Sequence, residues 1–204
     1  MITMNGMASG AILAVASLVA TGCAAQSSAY RQMSAVDHEA AARAASPADA
    51  EGHLQAAKLL RDEEQSACYQ VPDADRARGP FADADRVSGV EIVRDHGVFP
   101  KGPLEPVGVA VSLRAEPGMT QQWLGRLVAC HMAHVAVVGH ESGPSPLSVS
   151  NTQVAVSSTA TGFRVTVTSR DRDVVRLVLG KGQELADSTG ARPSIAGSGT
   201  ASIQ

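Results

Sequence analysis

Valine recurs at every second position through the middle of this chain, and that period constrains the fold more than any other feature. Val107, Val109, Val111 and Leu113 alternate with small or polar neighbours. A period of two places them on one face of a strand, whereas a helix would scatter them around its axis. Val154 and Val156 alternate in the same way, as do Phe163, Val165 and Val167. The turn signal Thr159 to Gly162 lies between them, so the two runs read as a hairpin. Val87 to Val93 is a fourth strand, carrying Val90, Ile92 and Val93, with Gly89 at a position suited to a bulge. Half-apolar strands need a cover, and two helical segments can supply it. One runs from about Gln121 to Val138, behind the turn Glu116-Pro117-Gly118 and a capping Thr120. The other opens at Asp171 and places Val174, Leu177 and Val178 on one face, with Gly180 and Gly182 weakening its end. Strand-strand-helix therefore occurs twice. The expected fold is α+β: a four-stranded, mainly antiparallel sheet with two packed helices (ββαββα).

A long helix is expected ahead of this unit. Ser46-Pro47-Ala48-Asp49 combines a capping serine, a proline at the first helical position and an acid near the positive helix end. The helix should run to about Ala67. Leu54, Ala57, Leu60 and Glu64 form a thin line on it, and Lys58, Arg61, Asp62 and Glu63 a solvated face, so it reads as a cover or appendage. Pro72 to Pro80 reads as loop. Asp73, Asp75, Asp83 and Asp85 are interspersed with Arg76, Arg78 and Arg86, which makes them solvated charge without the EF-hand pattern of a calcium loop. The expected organisation is a single domain over 47–187, a Gly/Ser/Thr/Ala-rich disordered tail over 188–204, and a flexible tether over 23–46 with a helical signal around Ser34 to Ala45.

Charge narrows the function classes. The net charge is −3 and aromatic residues make up 3% of the chain, which disfavours a nucleic-acid partner. After the front segment no apolar run approaches the length of a membrane span. The front segment itself is different. No Lys, Arg, Asp or Glu precedes Arg31, and Ala11 to Ala20 (AILAVASLVA) is small and apolar except for Ser17. Ten helical residues rise about 15 Å, half a bilayer core. That length suits the apolar region of a signal peptide over residues 1–22.

The run ends Leu18-Val19-Ala20-Thr21-Gly22-Cys23. Small residues before a cysteine at this place resemble the lipobox of bacterial lipoprotein precursors. The resemblance implies that Cys23 is lipidated (a palmitate-type acyl group) and becomes the mature N-terminus. It implies a membrane partner through that anchor and a cell-envelope location. Ala24 after the cysteine implies the outer membrane, facing the periplasm; secretion is the alternative. More loosely, the Glu64 to Cys68 helix end, the valine strands and the Cys-His helix are similar to uncharacterised envelope lipoproteins over about Pro47 to Leu185.

Trp123 to His140 (WLGRLVACHMAHVAVVGH) is where reactive side chains cluster. At 100° per residue, Leu124, Leu127, Val128, His131, Val135 and Val138 share a face. Cys130 and His134 are neighbours on its flank, as are His131 and His134. Thiolate and imidazole suit zinc or copper, so Cys130, His131 and His134 are one metal-ligand set, with Cys68, Met132 or His140 as further donors. Two simpler readings compete. His131 on an apolar stripe fits a core histidine. Cys68 and Cys130 remain once Cys23 is set aside, and in an oxidising envelope they can form a disulfide closing a loop of about 60 residues. Two free thiols are the third outcome.

Catalytic patterns are sparse. Gly139-His140-Glu141-Ser142-Gly143 places its serine one position too late for a nucleophile elbow, which leaves a small hydrolase built on His140, Glu141 and Ser142 as the last-ranked reading. No phosphate loop or dinucleotide fingerprint occurs. The expectation is therefore a lipid-anchored envelope protein with a non-enzymatic binding or structural role and an envelope protein as possible partner. No cofactor is expected on this reading. An envelope copper or zinc protein is the alternative.

Overall fold

The computed structural model describes residues 32–96, 103–139, 143–191 and 193–195. Residues 1–22, expected as a signal peptide, Cys23, and the His140, Glu141 and Ser142 triplet lie outside the described residues.

The described chain is α+β. Four strands form an antiparallel open sheet: β1 (Val87–Asp95), β2 (Glu105–Arg114), β3 (Gln153–Thr159) and β4 (Gly162–Thr168). A three-residue strand, β5 (Pro193–Ile195), adds to β1 in parallel, giving the order β3-β4-β2-β1-β5. β2 and β3 run parallel with β4 between them, so the helix that joins them crosses over one strand. That helix is α4 (Gln121–Val138); α5 (Arg172–Thr189) makes the second crossover, from β4 to β5.

Local chemistry sets these limits. Thr120 caps α4 by accepting from the Trp123 N–H at 3.1 Å, and Gly139 ends it in the left-handed conformation that glycine adopts without strain. Asp171 caps α5 through the Asp173 and Val174 N–H groups. The β1–β2 register slips twice. One slip is at Ser88, beside the bulge expected at Gly89. The other is at Val107, next to Pro106, which has no N–H to give to the ladder.

Both crossover helices cover the same sheet face. Val90, Val109, Val111, Leu113, Val165 and Val167 from the sheet are buried against Leu124 and Val128 of α4 and Val174, Val178 and Leu185 of α5. The other face is small and polar. There Glu91 and Arg164 pair at 2.6 Å from strands on either side of β2. One dry and one solvated face is the ordinary division of labour in an antiparallel sheet.

A second helical layer lies over α4. It consists of α1 (Ala35–Ala44) and α2 (Pro47–Ala67), followed by the short α3 (Asp73–Arg78). Ser34 and Asp37 form a reciprocal capping box at the start of α1. Ala35, Ala57 and Val137 pack together between α1, α2 and α4, with Leu60 and Val138 at the margin.

Three expectations about organisation change. The stretch 23–46 was expected as a tether with a helical signal around Ser34 to Ala45; α1 matches that signal, but its buried Ala35 and His38 pack it onto the fold, and 23–31 lie outside the described residues. The expected loop from Pro72 to Pro80 contains α3, which starts on two aspartates and ends on two arginines, as the helix dipole favours. The tail expected from 188 is structured at its beginning: α5 continues to Thr189 and 193–195 pair with β1. Composition alone suggested disorder there, and strand pairing overrides it.

Candidate functional site

α4 carries the reactive side chains, and its two packed sides decide what each can do. Leu124 and Val128 face the sheet, while Leu127, Cys130 and Val137 face the α1–α2 layer. The apolar surface of α4 therefore spreads beyond the single stripe expected for a helix covering one sheet.

Cys130 is fully buried and bonded to Cys68, the residue that ends α2; their Cα atoms are 4.5 Å apart. Val71, Leu127 and the flank of Trp123 surround the bridge. Of the three fates open to these cysteines, the structure has the disulfide. The Cys130 sulfur is thereby occupied, and the metal set is not assembled. His134 sits half-exposed with Nδ1 2.6 Å from Glu64 Oε1 on α2. A carboxylate only accepts, so Nδ1 carries the proton of that bond. His131 points elsewhere again. Among the described residues no group of three His, Cys, Asp or Glu side chains is arranged to hold a metal.

His131 is buried, as expected of a core histidine, but its surroundings were not legible in advance. Gly79, at φ +71°, lies against the ring: a Cβ there would fall 2.8 Å from His131 Nδ1. Nε2 lies 3.5 Å from the Ser145 hydroxyl, at the outer limit of a hydrogen bond. Ser145 is itself buried and accepts from the Leu147 N–H at 3.3 Å, capping the short turn Pro146–Ser148. The pair borders a cavity of about 180 Å³ lined by Arg78, Phe81 and Leu185 among others. A serine beside a histidine resembles a nucleophile and its base. Here the separation is long, and the serine oxygen also accepts from the turn it caps.

Two further features stand apart from the Cys130, His131 and His134 set. His38 of α1 and His53 of α2 meet with their Nδ1 atoms 2.9 Å apart. Burial is the main cause that holds His38 below the ordinary histidine range; the neighbouring His53 adds to it and Asp37 partly offsets it. Separately, a groove of about 500 Å³ runs between α4 and the edge strand β3. It is lined by Gln121, Gln122, Gly125, Ala129, Met132, Val154 and Val156, with Val128 at its base. Its signal in the sequence is a strand, 153–159, without a single charged residue. No helix of the described residues is long and apolar enough to cross a membrane. No protein-family model, curated protein or solved structure matches the chain, so its chemistry rests on the geometry above.

Proposed function

We propose that this protein is a lipid-anchored component of a bacterial cell envelope with a binding rather than a catalytic role. The observation that carries the reading is the buried Cys68–Cys130 disulfide. Such bridges persist in oxidising compartments and are rare in the cytosol. The bridge agrees with an apolar leader ending at Cys23, which assigns one cysteine to a lipid and two to the fold.

A binding role is supported by how the reactive residues are used. Cys130 is tied to Cys68, His134 to Glu64, and His131 is packed against Gly79. Beside them an uncharged groove stays open between α4 and β3.

Fractionation of cells expressing the full chain tests the reading. Wild type is expected in the membrane fraction, extractable only by detergent, and Cys23→Ala is expected to lose acyl labelling and accumulate unprocessed. A Cys23→Ala protein that is processed and located like wild type contradicts the anchor.

A further inference from the structure

We infer that the groove between α4 and β3 is a self-association surface, occupied by β3 of a second copy across a two-fold axis. β3 is an edge strand: it pairs with β4 on one side, and among the described residues no strand covers the other. The hairpin closes with Thr159 opposite Gly162, so Gln153, Ala155, Ser157 and Thr159 direct their backbone groups toward β4. Val154, Val156 and Ser158 direct theirs outward. The Gln121 side-chain amide donates to the Val156 carbonyl at 2.9 Å and accepts from the Ser158 side-chain hydroxyl at 3.0 Å, so it caps one backbone group of the unpaired edge.

Edges that must stay single carry lysine, proline or a bulge. β3 carries none of these: Gln153-Val-Ala-Val-Ser-Ser-Thr159 pairs regularly with β4 along its whole length. The groove beside it has no ionisable lining residue, in a chain where 18% of residues are charged. An occupant must therefore be an uncharged extended strand with small apolar side chains at alternate positions. β3 itself has that pattern. A copy of the chain also carries net charge −3, so two copies avoid like charges by meeting on this neutral strip.

Antiparallel pairing about Val156 sets Val156 opposite its symmetry mate and Val154 opposite Ser158, on the helix side. On the solvated side Ala155 faces Ser157. A seven-residue strand pair alone is smaller than a standard interface, which buries about 800 Å² per partner. The α4 faces supply the rest, because Gly125 and Ala129 present almost no side chain and let two helices approach closely. The inference does not depend on the anchor.

Sedimentation velocity of the full chain in detergent, over a wide concentration range, tests it with two double variants. Ala155 and Ser157 are exposed, so changes there leave the core alone. Ala155→Lys/Ser157→Lys sets lysine opposite lysine twice in this register. Ala155→Lys/Ser157→Glu sets lysine opposite glutamate twice. The expected result is a monomer–dimer equilibrium for wild type, at least tenfold weaker for the Lys/Lys protein and restored or strengthened for the Lys/Glu protein. Thermal melts establish that each variant is folded. A wild type that stays monomeric at every concentration overturns the inference. So does association that folded Lys/Lys protein retains, or that Lys/Glu loses equally.

Discussion

Gly182 shows how a residue that weakens a helix can be required by what the helix rests on. A Cβ built there would lie 2.7 Å from Val109 Cγ1, in the centre of the buried face of β2. Gly182→Ala is expected to destabilise by roughly 1–3 kcal/mol through overpacking. Gly180, two residues earlier, faces open space, and Gly180→Ala should stabilise by about 0.5–1 kcal/mol through reduced freedom of the unfolded chain. Urea titration of the two variants checks both signs. The histidine pair acts at the same scale. The folded-state pKa of His38 lies below its ordinary 6.5, so the folded protein binds fewer protons than the unfolded chain as pH falls. Its contribution is present in full above about pH 6.5 and lost as pH drops toward the depressed folded value. Wild type should therefore melt earlier at pH 5 than at pH 8, and His38→Gln should reduce that difference. An equal difference in both proteins would remove His38 as its source.

At the scale of elements, the disulfide is the main tie between the α1–α2 layer and α4. It closes a loop of 62 residues, which on the chain-entropy model stabilises by about 4 kcal/mol. Cys68→Ala/Cys130→Ala is expected to lose stability on that order in denaturant titration. Amide exchange should accelerate first in α2, whose only buried residue is Ala57. The Glu64–His134 pair on the same helix face is half-exposed, and Glu64→Gln should cost less than about 1 kcal/mol. These elements also show what is legible from a sequence. Strong periods and caps were readable: the valine strands, the turn at 159–162, and α4 from Thr120 to Val138. The bulge at Ser88–Gly89 and the cover role of α2 were readable too. What escaped depends on partners distant in the chain. The helical signal of α1 was readable, but not its docking, because α1 has little apolar face of its own and is held by Ala35 and His38 packing against α2 and α4. β5 exists because β1 offers a free edge. The Gly79–His131–Ser145 arrangement joins three segments that no local pattern connects.

For the whole molecule, the layers divide the labour. The sheet and its two crossover helices form the main core, and the α1–α2 layer turns α4 from a surface helix into a central one. That placement brings the cysteine and histidines of α4 against partners outside it: Cys130 and His134 meet Cys68 and Glu64 at α2, and His131 meets Gly79 and Ser145. It also leaves an uncharged groove open beside the β3 edge. The proposed protein is anchored to the envelope and pinned by its disulfide. The most direct measurement is intact mass of the protein recovered from membranes of bacteria expressing the full chain, taken before and after reduction. The account predicts a chain beginning at Cys23 that carries acyl mass and gains two hydrogen atoms on reduction. An unprocessed or unacylated chain, or a mass that reduction leaves unchanged, would contradict it.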